Sequence, residues 1–222
     1  MSSVLLVGTL DTKGVEFAYV RDRLRAAGVS VSVADAGVMG PPAFRPDITR
    51  EQVFSAAGAN VEAVRAAGDR GKAVALAAEG AARVAAESHR QGKLAGVLSL
   101  GGSAGTTIGT AVMRALPVGV PKLMVSTLAS GQVQHYVGTR DVMMMPPVVD
   151  ISGLNRISRA VLDNAAAAMA GMVSLGREAQ PSTPDKPIIT ATMFGVTTPC
   201  VEAARTILEA AGYEVLVFHA TG

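Results

Sequence analysis

Tryptophan is absent from this 222-residue sequence, aromatic residues make up only 4% of it, and cysteine occurs once. The lone Cys200 excludes an internal disulfide, and no signal-peptide pattern occupies Met1–Leu10, so a cytoplasmic location is expected. Charged residues amount to 17% with a net charge of +2 and no basic cluster, which removes the electrostatic footprint of a nucleic-acid partner. No apolar run approaches the about 20 residues needed to cross a bilayer, so no membrane partner is expected. His89, His135 and His219 lie far apart without metal-ligand spacing, and no metal site is expected. Against these shortages stands a hydrophobic content of 49%, which excludes wholesale disorder and calls for a core of Ala, Val, Leu, Ile and Met.

Short apolar runs alternate with longer helical patterns. Val4–Val7, Val29–Val33, Gly96–Leu100, Lys122–Ser126 and Val142–Met145 read as strands. Phe17, Val20, Leu24 and Ala27 fall at helical spacing before a capping Gly28, and residues from Asp69 to Arg90 suit a long helix. Further helices are expected over Thr106–Leu116 and along Ile151–Met172. Strands apolar throughout, separated by helices, predict an α/β fold: a Rossmann-like parallel sheet with helices on both faces over residues 1–176. The polar, proline-bearing stretch 177–187 reads as a linker. Residues 188–222 then open a second Rossmann-like subdomain, with Thr198-Pro199 as a helix start. Phe17, Val20, Leu24 and Ala27 recur there, at one constant offset, as Val201, Ala204, Leu208 and Ala211. One βαβ unit does not bury its own faces, so this second subdomain is expected to need its remainder, or a partner, to complete it.

In open parallel sheets, ligands bind beyond the carboxyl ends of the strands. Gly8–Gly14, Ala34–Gly40, Gly101–Thr107, Thr127–Gly131 and Met193–Thr198 are the loops expected there. The sharpest is Gly101-Gly102-Ser103-Ala104-Gly105-Thr106-Thr107, where glycines admit an anion to backbone N–H groups at a helix start and hydroxyls add donors. It lacks the Gly-Lys-Ser/Thr ending of a P-loop, and its glycines also suit a simple tight turn. Gly101-x-Ser103-x-Gly105 also matches the nucleophile elbow of a serine hydrolase, with Asp141 or Asp150 and then His219 downstream. Thr9, Asp11, Thr12 and Lys13 crowd the first helix start; Asp11 or Thr12 suits a cap, whereas a cation at Lys13 opposes the helix dipole unless an anion binds. Thr127, Ser130 and Gly131 in the fourth loop, Phe194 and Thr197 in the fifth, and Asp141 complete the candidate binding set.

Taken together these segments resemble the family of the ATP-binding inhibitory domain of the tomato mosaic virus resistance protein, which has many uncharacterised bacterial and fungal relatives. The resemblance is carried by Gly8-Thr-Leu-Asp-Thr-Lys-Gly14, Gly101-Gly-Ser-Ala-Gly-Thr106, Pro121–Thr127, Ala129-Ser-Gly131, Tyr136-Val-Gly138 through Asp141, Gly153-Leu-Asn155, Met193–Thr198 and His219–Gly222. It implies two Rossmann-like subdomains, ATP in the cleft between them held by the strand-end loops, and a homodimer. Mg²⁺ is compatible with this, though no carboxylate cluster demands it. No reaction is implied. An ATP-binding protein with a regulatory or ligand-binding role is the leading expectation; an enzyme acting on a small anionic or sugar-like metabolite and a serine hydrolase at Ser103 are the alternatives.

Overall fold

The computed structural model describes residues 2–175 and 186–220. The first of two compact units, Met1–Arg177, runs β1 (Ser3–Gly8), α1 (Leu10–Ala26), β2 (Val31–Asp35), α2 (Arg50–Ala56), α3 (Val61–Ala67), α4 (Arg70–Arg90), β3 (Leu94–Gly101), α5 (Ser103–Arg114), β4 (Lys122–Ser126), α6 (Gln134–Val137), β5 (Met143–Met145) and α7 (Arg156–Leu175). Its five strands form one sheet in the order β2-β1-β3-β4-β5, with every neighbouring pair parallel. Side-chain alternation decides what each face meets. Val4, Leu6, Leu98 and Leu123 pack with Phe17, Val20 and Leu24 of α1 and with Leu162, Ala165 and Met169 of α7. Leu5, Val7, Val97 and Met124 pack on the other side with Phe54 of α2, Ala77 and Ala81 of α4, and Ile108 and Val112 of α5. Both faces are covered, which is why the strands are apolar throughout. The Rossmann-like α/β expectation holds.

Several boundaries differ from the sequence reading, each for a local reason. Helix α1 starts at Leu10, inside the stretch read as a loop, because the Thr9 carbonyl already accepts the N–H groups of Thr12 and Lys13. The irregularity is confined to Lys13, at φ −127° and ψ 20°. Helix α5 starts at Ser103 rather than Thr106. Helix α7 starts at Arg156, not Ile151, since Asn155 Oδ1 caps it by accepting from the N–H groups of Ile157 and Ser158. The linker expected over 177–187 lies outside the described residues except for its last two.

The second unit, Glu178–Gly222, contains β6 (Ile188–Met193), a 3₁₀ turn over Gly195–Thr197, α8 (Thr198–Ala210) and β7 (Glu214–His219). Its two strands pair in parallel. The sequence repeat extends to the helix ends. In α1, the Val29 N–H returns to the Leu24 carbonyl and Gly28 takes φ 76°; in the second unit, the Tyr213 N–H returns to Leu208 and Gly212 takes φ 93°. Along β6 and β7, half-buried residues alternate with exposed ones, and Ile188, Leu216 and Phe218 lie on the exposed side.

Close helix packing in the first unit rests on small residues. A Cβ placed on Gly80 of α4 would stand 1.9 Å from the Val53 carbonyl oxygen of α2, whereas one on Gly171 of α7 would meet nothing within 4 Å. Gly80→Ala is therefore expected to destabilise the protein by about 1–3 kcal/mol through forced separation of α2 and α4. Gly171→Ala is expected to stabilise it by about 0.5–1 kcal/mol through lower unfolded-state entropy. Urea unfolding of the two variants beside the parent checks both signs at once.

Candidate functional site

The strand order reverses between β1 and β3: the chain leaves β1 toward β2 on one side and, after β3, toward β4 on the other. At such a point the two outgoing connections part and leave a crevice beyond the strand ends. A cleft of 480 Å³ opens there. Thr9, Asp11 and Thr12 after β1, Val38 and Met39 after β2, Val64 and Arg65 of α3, and the facing sides of α4 and α5 line it. Helices α4 and α5 both begin at this edge of the sheet. Arg70 and Ala104 therefore stand at the mouth, while buried Ala77 and Ile108 lie further down the groove. Seven residues of helix separate Arg70 from Ala77, a depth of about 10 Å.

The walls are fixed by a polar network around Asp35, at the end of β2. Its carboxylate is 1% exposed. Oδ1 accepts from the N–H groups of Leu10 (3.1 Å) and Gly37 (2.9 Å), and Oδ2 accepts from Arg50 Nε at 2.8 Å. Arg50 Nη2 stands 2.7 Å from that same oxygen, and Nη1 donates to the Gly40 carbonyl at 2.6 Å. Asp11 acts in the opposite direction. Its Oδ2 accepts from the consecutive N–H groups of Val38, Met39 and Gly40, at 3.1, 2.8 and 3.3 Å. Arg65 donates from Nε to the Val38 carbonyl at 2.6 Å and pairs with Glu62. The loop after β2 is thereby held by its donors and its acceptors together.

The glycine loop divides by what its glycines do. A Cβ on Gly101 would stand 2.9 Å from the Gly105 Cα, and one on Gly105 would be 3.1 Å from the Leu100 carbonyl oxygen. Packing of α5 against the end of β3 requires both. Gly102 is different: a Cβ there would meet only Thr127 Oγ1, at 3.7 Å, and its φ of −83° suits any residue. It precedes α5, whose start no side chain caps. Ser103 is exposed.

Other candidate residues have structural employment. Lys13 Nζ donates to the Ile151 carbonyl, and buried Glu16 accepts from the Gly153 N–H, so the first turns of α1 hold the segment before α7. Thr106 is buried, bonded to the Gly102 carbonyl and to Ser126 Oγ at 2.6 Å, and Thr107 returns its hydroxyl to the Ser103 carbonyl. Thr9 and Thr12 share a hydroxyl contact of 2.6 Å on the cleft wall. Ser130 and Gly131 are exposed in the turn after β4, off the cleft. Phe194 and Thr197 close their own turn in the second unit. Asp141 does not join the set: it lies before β5 at the opposite, amino edge of the sheet. There it pairs with buried Lys122 at 2.7 Å and accepts the Gly119 N–H at 2.8 Å. Nor is Ser103 on a nucleophile elbow. It is the first residue of α5, and Val148 is the only non-glycine with positive φ among the described residues. The sequence reading missed Arg65, Arg70 and Val64. The Thr49–Gln52 capping box and the Asn60 cap were the available signals for helices in that stretch.

The model of the Uncharacterised protein family (UPF0261) N-terminal domain matches residues 2–178, and that of its C-terminal domain matches residues 186–222. The chain is 46% identical over 219 residues to a UPF0261 protein of Clostridium tetani, covering 99% of this chain and 54% of that protein. It is 46% identical over 222 residues to one of Rhizobium meliloti, again with 54% of that protein covered. Against the ToMV resistance protein Tm-1(GCR237) of Solanum lycopersicum it is 38% identical over 238 residues, 99% of this chain and 31% of that protein. The chain thus spans about half the length of these bacterial relatives.

The Asp141 contact makes stability depend on pH. Burial raises its carboxyl pKa, but the Lys122 ammonium and the Gly119 N–H outweigh that and hold it below the ordinary carboxylate value. Its stabilising contribution is accordingly complete above about pH 4–5 and is lost as pH falls through the lower folded value. Asp141→Asn leaves the Lys122 ammonium buried with only the Pro117 and Val120 carbonyls. Asp141 is itself 38% exposed. The expected loss at neutral pH is therefore about 1–2 kcal/mol, less than for a fully buried pair. Urea unfolding across pH should show the gap from the parent closing in acid; a gap independent of pH would refute the assignment.

Proposed function

We propose that this chain, which belongs to the UPF0261 family, binds ATP at the switch-point cleft of its first unit. The observation that carries the reading is the coincidence of a 480 Å³ cleft with the uncapped start of α5, beyond the carboxyl ends of β1 and β3. The apolar groove between α4 and α5 offers room for the base. Gly102, which packing does not require to be glycine, leaves the N-terminal N–H groups of α5 open to a phosphate. Exposed Ser103, one residue before the cleft-lining Ala104, offers a hydroxyl at that helix start, with Thr9 and Thr12 on the cleft wall. The resemblance to an ATP-binding domain points to the same ligand. Mg²⁺ would accompany the phosphates as part of the nucleotide complex.

The role proposed is binding or regulation. Polar side chains around the cleft hold its walls: Asp11 Oδ2 accepts three N–H groups while its Oδ1 is buried without a hydrogen-bond partner, Arg65 holds Val38 and Glu62, and Asp69 accepts the Lys72 N–H that it caps.

Calorimetric titration of the chain with ATP, ADP and AMP tests this, with Gly102→Val as the diagnostic variant. The expected result is binding by the parent and at least tenfold weaker binding by Gly102→Val, with unfolding stability lowered by no more than about 2 kcal/mol through the poorer N-cap. No heat with any of the three at millimolar concentration would defeat the reading. Unchanged affinity in the variant would move the phosphates away from α5.

A further inference from the structure

Arg70 is the first residue of α4, directly after the capping Asp69. A cation is electrostatically disfavoured at a helix N-terminus, where the unsatisfied N–H groups already carry partial positive charge. The other charged side chains around this cleft are engaged within the protein. Asp35 faces Arg50, Glu62 faces Arg65, and Asp11 accepts three N–H groups. Arg70 alone among the described cations lining the cleft has neither ion pair nor hydrogen bond through its side chain, although the Asp69 carboxylate is its neighbour in sequence. Its guanidinium is exposed at the mouth, above the apolar groove that ends at Ala77 and Ile108. Ala104, in the first turn of α5, lines the same mouth. One end of the cleft is therefore apolar, and the other carries a guanidinium without an ion pair, next to the helix-capping Asp69 and beside a second helix start.

From this polarity we infer that Arg70 is the specificity-determining residue of the cleft, reading the anionic end of a ligand whose apolar body lies in the groove between α4 and α5. The inference rests on the nucleotide reading above and deepens it. The adenine lies down the groove and the phosphates at the mouth, and discrimination among adenosine, AMP, ADP and ATP comes from the guanidinium, which bonds phosphate oxygens through paired N–H donors. The apolar walls do not distinguish these ligands, because all four carry the same base.

The test is calorimetry of the intact chain with the four ligands, on the parent, Arg70→Gln and Arg70→Lys. The expected result for Arg70→Gln is a roughly tenfold loss for ATP and a change under about twofold for adenosine. Arg70→Lys should recover part of the ATP affinity, as a point charge without the paired donors. The ATP affinity of the parent should also fall more steeply with added salt than that of Arg70→Gln. Equal losses for ATP and adenosine would make Arg70 a structural residue of the cleft and overturn the inference. So would an unchanged ATP affinity in Arg70→Gln; the nucleotide reading survives both results. A parent that binds none of the four removes that reading, and the Arg70 assignment with it.

Discussion

The carboxyl edge of the sheet depends on one buried carboxylate. Asp35 receives the N–H of Leu10, where α1 begins, the N–H of Gly37, where the chain leaves β2, and the guanidinium of Arg50, where α2 begins. Without it three backbone segments would converge with unmatched polar groups at the very edge where the cleft opens. A buried ion pair of this kind is not a large net source of stability, since desolvating both charges offsets most of their attraction. Its value is geometric. A carboxylate with four acceptor positions, met by donors from three elements, permits one arrangement of those elements and makes others costly. Asp11 then copies the scheme from the other side, and Arg50 and Arg65 take the outward carbonyls of the same loop. The wall formed by Val38 and Met39 stands where it does because these four side chains leave it no alternative.

How much of this could be read beforehand follows from the range of the interactions. Strands apolar throughout announce a doubly covered sheet, and Lys122–Ser126 and the long helix ending at Arg90 were legible to within a residue. Local caps such as Gly28 are equally local facts. Helices α2 and α3 were not legible. They are seven residues each, and their buried side chains are few, Arg50, Val53 and Phe54 in one and Val61 in the other. Too few apolar positions fall within either to set up a period. The side chains of the site were harder still. Lys13 reads as a cation awaiting an anion until the fold brings the Ile151 carbonyl to it across the whole length of the first unit. Asp141 reads as a neighbour of a strand-end loop, yet it precedes its strand and so belongs to the opposite edge. Composition likewise does not distinguish a glycine that packing demands, such as Gly101, from one that packing leaves free, such as Gly102.

The scarcity of aromatic residues and the existence of the cleft have one origin. Helices bearing Ala, Gly and Val approach one another closely, as Gly80 does against Val53, but their short side chains leave a groove between helices unfilled. Between α4 and α5 that groove is bordered by Ala73, Ala77 and Ala104, with Ile108 as the largest side chain in its depth. A phenylalanine at one of the alanine positions would fill it. Among the described residues no aromatic ring lines the cleft, so a base entering it would gain contact area and desolvation without stacking. Contact of that kind is tolerant of what it holds. On the proposed reading selectivity falls to the mouth, where the fold sets an uncapped helix start, two threonine hydroxyls and, among the described residues lining it, one guanidinium without a partner.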